Sequence, residues 1–313
     1  MAFGISGTII DMSDAPRIAV VGSTMIDLIA YTGRVPGAGE TVAGDDFRLG
    51  FGGKGANQAV MARLLGAEVA MVNTLGDDVF GDMTLQNFAS FGIDTTFVDR
   101  VSGTSGVAPI WVERDGTNRI ICVAGANDAM VTSRAVEAVQ SLSPLSVVIG
   151  QFEIPQPVTA AAFRAAHEAG AVTILNPAPA ADMDPDLLAA SDWIIPNEHE
   201  FARLAGASTD VDDEALTAFG RQTRTRLVVT LGARGAVLLD RTGSIVRVPA
   251  PFVTALDTTG AGDAFVGAFA FGLATGLAEV EAVRLGTRCA SDSVQRPGTQ
   301  SSFPRGAGTS TPR

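Results

Sequence analysis

Basic charge is what this chain most lacks. Of 313 residues only 22 are Lys or Arg, against 34 Asp and Glu, giving a formal net charge of −12 and a pI near 4.6. No basic run occurs anywhere, which argues against a surface for a nucleic-acid backbone. Cysteine is almost absent too: Cys122 and Cys289 stand far apart, without metal-ligand spacing. Neither a disulfide framework nor a zinc site is expected, and a reducing cytoplasm fits. His167 and His199 are the only histidines, and no Ser or Cys nucleophile motif lies near either, so histidine catalysis is not expected. Tyr31 and Trp111 are isolated aromatics that read as packing or lid residues. Long apolar runs are missing as well. The most apolar stretch, Ala264 to Leu277, is shorter than the roughly 20 residues of a membrane span and is broken by Gly and Thr. No positive charge precedes Arg17, so no secretory signal is expected.

What is present suits a large α/β protein. Hydrophobic residues make up 46% of the chain and charged ones 18%, enough to bury a substantial core. The length is compatible with two domains or one large one. Short runs rich in Val, Ile and Leu read as strands covered on both faces: Ile18–Val21, Val69–Asn73, Ser146–Ile149, Val172–Leu175, Trp193–Ile195 and Leu227–Thr230. Helical patterns over Gly55–Leu65, Gln156–Glu168, Asp213–Thr223 and Ala264–Ala274 alternate with them, with Gly66 and Gly170 at expected C-termini. This alternation predicts a mostly parallel sheet flanked by helices on both faces. Glu40–Leu49 and Gly106–Val123 break the rhythm and read as extended, the second turning at Asp115–Gly116. They predict a small separate β-sheet over one edge, a lid built from about 28–50 and 104–124 in a single domain of residues 17–304. Frayed termini are expected over 1–16 and over the Gly/Ser/Thr/Pro-rich 305–313.

An acidic protein that binds an anionic nucleotide must concentrate positive potential locally, in backbone amides, helix N-termini and metal ions. Two glycine-rich turns answer that need. Gly50-Phe51-Gly52-Gly53-Lys54-Gly55-Ala56-Asn57 leads into a helix and formally satisfies G-x-G-x-x-G. It does not follow the first core strand, where a dinucleotide-binding half would begin, and the residue after Lys54 is Gly, which excludes a P-loop. A plain glycine turn is the alternative. Asp257-Thr258-Thr259-Gly260-Ala261-Gly262-Asp263 feeds the helix at Ala264 and aims backbone amides at a developing negative charge. Asp263 beside them is a candidate base for an attacking hydroxyl, or else only a helix cap. Phosphoryl transfer needs positioning and charge stabilisation more than a strong base. Asn197 and Glu200 form a capping-box pattern that can also present a carboxylate to a magnesium ion. The Thr230–Gly235 turn by itself carries no signal.

Taken in order from about Arg17 to Pro304, these motifs resemble the ribokinase family of carbohydrate kinases. Gly22-Ser23-Thr24-Met25-Ile26-Asp27 looks like its N-terminal sugar-binding turn, and Phe51–Gln58 and Asp257–Asp263 are similar to its two signatures. Asn176–Ala180 and Gly298–Ser302 resemble ribokinases more than distant members. The resemblance implies ATP-dependent phosphorylation of D-ribose at its 5-hydroxyl, with 2-deoxyribose or another sugar or nucleoside as alternatives. It implies that Asp263 removes the hydroxyl proton and that the amides of Gly260, Ala261 and Gly262 form the anion hole. Met25, Asp27, Gly53, Lys54, Gly55, Asn57 and Glu153 then surround the sugar. Asn197, Glu200, Thr230, Gly232, Ala233, Arg234, Gly235, Gly262 and Thr287 face ATP and its Mg2+. Asp257, Thr259, Ser293, Arg296, Gly298 and Ser302 match a monovalent-cation site that suits K+. Met25 stands where many bacterial ribokinases carry Asn, and Thr287 where the family often has Asn near adenine. A homodimer through the lid is expected, with no nucleic-acid or membrane partner. A Rossmann dehydrogenase would leave Asp257–Asp263 unexplained, and a non-catalytic sugar binder would be expected to lose the base or an anion-hole glycine.

Overall fold

Alternation within single strands sets the layers of this fold. In the computed structural model, which describes residues 15–306, Ile18 and Val20 of strand β1 (Arg17–Val21) enter one apolar cluster. Ala19 and Val21 enter another on the opposite face. The expected frayed termini, apart from residues 15–16 and 305–306, lie outside the described residues.

The chain continues through β2 (Met25–Thr32), β3 (Asp46–Gly52), α1 (Lys54–Leu65), β4 (Glu68–Gly76), α2 (Val79–Phe91) and β5 (Asp94–Val101). Next come β6 (Val107–Glu113), β7 (Asn118–Ile120), α3 (Thr132–Leu142), β8 (Val147–Gln151), α4 (Gln156–Glu168) and β9 (Val172–Asn176). Then follow α5 (Pro185–Ala189), β10 (Trp193–Ile194), α6 (Glu198–Ala205), α7 (Asp213–Thr223) and β11 (Arg226–Thr230). The last elements are β12 (Ala236–Leu239), β13 (Ile245–Val248), α8 (Ala261–Ala274) and α9 (Glu279–Ser293).

The main sheet runs β13-β12-β11-β10-β9-β8-β1-β4-β5. Its pairs are parallel from β5 through β11, and β12 and β13 close the edge antiparallel. Side chains of α1, α8 and α9 cover one face. Helices α3 and α4 cover the other beside β1 and β8, and α6 and α7 cover it beside β10 and β11. Strand order reverses between β1 and β8, because the chain leaves β1 toward β4 and later returns toward β9. A crevice at the carboxyl ends of strands flanking such a switch point is where open α/β sheets bind ligands.

The second sheet runs β3-β2-β6-β7. Its strands begin elsewhere than expected. β3 starts at Asp46, and Glu40 is held instead in a turn by its ion pair with Arg34 and its amide bond to the Gly37 carbonyl. β2 reaches back to Met25, which pairs with Gly52 and ties the sheet to the start of α1. Among the described residues no helix is long and apolar enough to cross a membrane.

Candidate active site

The β1–β2 turn, the start of α1 and the loop after β8 meet at the switch point. Gly53 is the N-cap of α1 with φ 86°, and a methyl there would fall 2.6 Å from the Thr24 Cα. Only glycine lets the helix begin so close to that turn. Gly53 offers no capping side chain, and Glu153 supplies the missing acceptor. Its Oε2 takes the Lys54 backbone N–H at 2.9 Å and the Ser23 hydroxyl at 2.5 Å.

Asp27 lies across from Gly50 in the β2–β3 pair. A methyl on Gly52 would sit 2.7 Å from its carboxylate oxygens, so this glycine makes the room. Among the described residues nothing donates a hydrogen bond to that carboxylate. Burial chiefly, and the nearby Glu153 charge second, push it up to about 6. Lys54 shows the converse balance. Burial works against its ammonium, but the carboxylates of Asp263, Glu153 and Glu200 outweigh it and hold its pKa above the usual value.

Asp263 stands in the first turn of α8, only 7% exposed. The N-cap there is Gly260, with φ 76°, and no side chain caps the helix. Asp263 is therefore not a cap. Its Oδ2 accepts from the Asn57 side-chain amide at 2.8 Å and its Oδ1 from that of Gln58 at 3.0 Å. Beside it, the amides of Gly262 and Asp263 have no acceptor among the described residues, while that of Ala261 reaches the Thr258 carbonyl at 3.3 Å.

A cavity of about 180 Å³ opens here, lined by Lys54, Asn176, Asn197, Glu200, Thr230, Gly260, Gly262 and Asp263 among others. Asn197 and Glu200 make the reciprocal capping box of α6 at 2.8 and 2.9 Å. That box uses one Glu200 oxygen, and burial raises the carboxyl above its usual range. Thr230 joins Asn197 by a parallel bridge, and Gly232–Arg234 forms a short 3-10 turn closed by Gly235. Arg234 pairs with Glu198 at 2.7 Å. Thr287 is buried in α9, its hydroxyl bonded to the Val283 carbonyl. A larger concavity of about 270 Å³, near Arg17, Arg63 and Asp94, holds none of these groups.

The residues suggested for a monovalent cation gather behind the glycine turn. Asp257 clasps two loops, accepting from the amides of Thr259 and Gly298, each at 2.9 Å. Burial opposes its ionisation, yet those amides hold its pKa below the usual carboxylate value. Among the described residues, the carbonyls of Thr259, Arg296 and Gly298 accept no hydrogen bond. The Ser302 carbonyl is different, since the Arg296 guanidinium donates to it twice, at 3.0 and 2.7 Å. Ser293 bonds the Ala290 carbonyl through its hydroxyl.

A carboxylate held at a glycine-rich helix start, inside a cavity shared with a lysine, suits phosphoryl transfer. Residues 15–305 match the pfkB family carbohydrate kinase description. The chain belongs to that family. Within the family it is similar to a deoxyribokinase of Salmonella typhi, 39% identical over 92% of this chain and 95% of that one. It is also similar to a ribokinase of Mus musculus, 40% identical over 93% of each. Among solved structures, a ribokinase of Arabidopsis thaliana complexed with ribose and ATP superposes with a TM-score of 0.87 at 30% identity, covering 93% of this chain and 96% of that one. The chain is thus a carbohydrate kinase with a ribokinase-like α/β fold.

Sequence reading left several site residues without a role. Ser23, Gln58, Asn176 and Gln300 stand inside the quoted motifs, yet only the structure joins them to Asp263 and Glu153. The available signal was an amide side chain on an otherwise apolar buried helix face, as at Gln58.

Proposed function

We propose that this kinase transfers the γ-phosphoryl group of ATP to the 5-hydroxyl of D-ribose and accepts 2-deoxyribose as well. The placement of the Asp263 carboxylate beside the Gly260–Gly262 turn carries this reading. Asp263 takes the hydroxyl proton, and the Gly260, Ala261 and Gly262 amides meet charge developing on the transferred group. Lys54 neutralises part of it. Asp27, Asn57 and Glu153 hold the sugar under the lid, while Asn197, Thr230 and the Gly232–Gly235 turn face the nucleotide. The basic groups of the lid are all paired, Arg34 with Glu40, Arg48 with Asp46, Arg114 with Asp45 and Arg119 with Glu113. That pairing speaks against a sugar already carrying a phosphate.

The sugar preference turns on Met25. Its side chain is 6% exposed, with the sulfur 3.9 Å from the Asn127 amide nitrogen. That amide donates to the carbonyls of Thr24 and Ala124, both at 2.8 Å, and its oxygen accepts from Thr24 and Asn73. Neither side chain has a strong group to spare for a sugar hydroxyl, so removing that hydroxyl strands nothing. The kcat/KM for 2-deoxyribose is expected to fall within about tenfold of ribose, a gap of about 1.4 kcal/mol. Met25→Asn is expected to widen the ribose preference. A strong wild-type preference for ribose that the substitution leaves unchanged would show that Met25 does not set specificity.

Among the described residues no group of three or more Asp, Glu, His or Cys could hold a metal. Magnesium fits such a site because it is held largely by substrate phosphates and water, with Glu200 as the protein carboxylate. Potassium fits the free carbonyls of Thr259, Arg296 and Gly298 beside Asp257, where it would stiffen the glycine turn. Replacing sodium or a bulky organic cation with potassium, at matched ionic strength, is expected to raise kcat severalfold. Equal rates in all three salts after exhaustive potassium removal would discard the site.

The lid supplies the dimer contact in this reading. Phe47 and Leu49, 59% and 48% exposed, lie on the face opposite Asp27. The two cysteines are unpaired, one of them exposed, which fits the cytoplasm.

A further inference from the structure

Two files of side-chain amides converge on the Asp263 carboxylate. In one, Asn87 donates to the Gln300 oxygen at 2.9 Å, Gln300 donates to the Asn57 oxygen at 3.0 Å, and Asn57 donates to Asp263 Oδ2 at 2.8 Å. In the other, Gln151 donates to the Gln58 oxygen at 2.7 Å and Gln58 donates to Asp263 Oδ1 at 3.0 Å. Asn57, Gln58, Gln151 and Gln300 are each 6% exposed or less. An amide can present either end to a neighbour, and the network decides which. Each file is polarised toward the carboxylate, which as an anion only accepts. Asn57 turns its NH2 to Asp263 and its oxygen to Gln300, so both ends of the amide are committed.

We propose that Gln300 is a positioning residue for the catalytic base, acting through Asn57. The proposal rests on the reading of Asp263 as that base. Gln300 begins a 3-10 turn with Ser302, and Arg296 ties the Ser302 carbonyl back to the end of α9. The donor that orients Asn57 is therefore itself anchored. Without it, the Asn57 oxygen is buried and unpaired, and only the bond to Asp263 still holds the amide. An amide that shifts its unpaired oxygen toward another donor draws its NH2 away from Asp263, so the base would move. The charged groups that face Asp263 are Lys54 from α1 and Glu200 from α6, and neither can replace a directed amide bond.

Gln300→Met keeps side-chain length and removes both polar ends. It is expected to lower kcat about 10- to 100-fold, as small misplacements of reacting groups do, with KM for ATP unchanged. In an Asp263→Ala background the same substitution is expected to cause little further loss, because the group it positions is gone. Wild-type kcat in Gln300→Met, or equal proportional losses in both backgrounds, would overturn the proposal in favour of a purely structural glutamine. If Gln300→Met does not fold, Asn87→Leu at the outer end of the file serves, with a smaller loss in the same pattern expected and unchanged kcat overturning it. Full activity in Asp263→Ala alone would instead reject Asp263 as the base, which separates the two failures.

Discussion

Replacing Asp263 with Asn is expected to reduce kcat with ribose by about 10²–10⁴, the usual contribution of a positioned general base. The geometry adds a second consequence. Asn57 and Gln58 both direct N–H groups at this side chain, at 2.8 and 3.0 Å, and both are oriented by donors behind them. A carboxylate accepts both, whereas the amide of Asn accepts one and faces the other with its own NH2. One buried donor is left unpaired, at about 1–3 kcal/mol. The variant should unfold cooperatively at a lower Tm and be nearly inactive when folded. Retention of more than a tenth of wild-type kcat would reduce Asp263 to a structural acceptor.

Asp27→Asn is expected to act on function and stability in opposite directions. Hydrogen bonds from sugar hydroxyls to an ionised carboxylate contribute about 1.5–3 kcal/mol each. Losing that charge should lower kcat/KM for the sugar by roughly 10- to 100-fold. In the sugar-free protein the same carboxylate is a burden, because burial and Glu153 raise its pKa to about 6 from 3.8. A group with a raised folded pKa adds stability that is complete below its unfolded pKa and lost as pH rises through its folded pKa. Asp27 therefore withdraws stability from the fold between about pH 4 and 6. A shift of about two units corresponds to about 3 kcal/mol. Asp27→Asn should consequently raise the sugar-free Tm at pH 7.5 and leave it little changed near pH 4. For the wild type, sugar KM should climb as pH drops below about 6. A Tm gain that is flat with pH would show that the raised pKa is not its cause.

The parallel core was legible because its strands obey a simple rule. Val, Ile and Leu runs at Ile18, Val147, Val172 and Leu227 are buried on both faces, and the paired strands β1, β8, β9 and β11 fall within two residues of those expected. The lid was less legible. β2 was not anticipated as a strand from Met25, because that stretch reads as a turn until Gly52 and Val107 pair beside it. Helix α1 is buried on nearly every side, between the sheet and α8, so its start at Lys54 comes from the glycine turn and Glu153, not from an amphipathic pattern.

The candidate base could be named from the chain alone, because Asp257–Asp263 places a carboxylate and small residues at a helix start within seven positions. Such local chemistry is written in neighbouring residues. What holds that base could not be read there. Asn87 and Gln300 are 213 residues apart, Gln300 and Asn57 are 243 apart, and Asn57 and Asp263 are 206 apart. Nothing in the spacing of an asparagine or glutamine tells which end of its amide will face which partner. Only the packed interior decides that, because a buried donor left unpaired is costly enough to select one orientation for every member of the file.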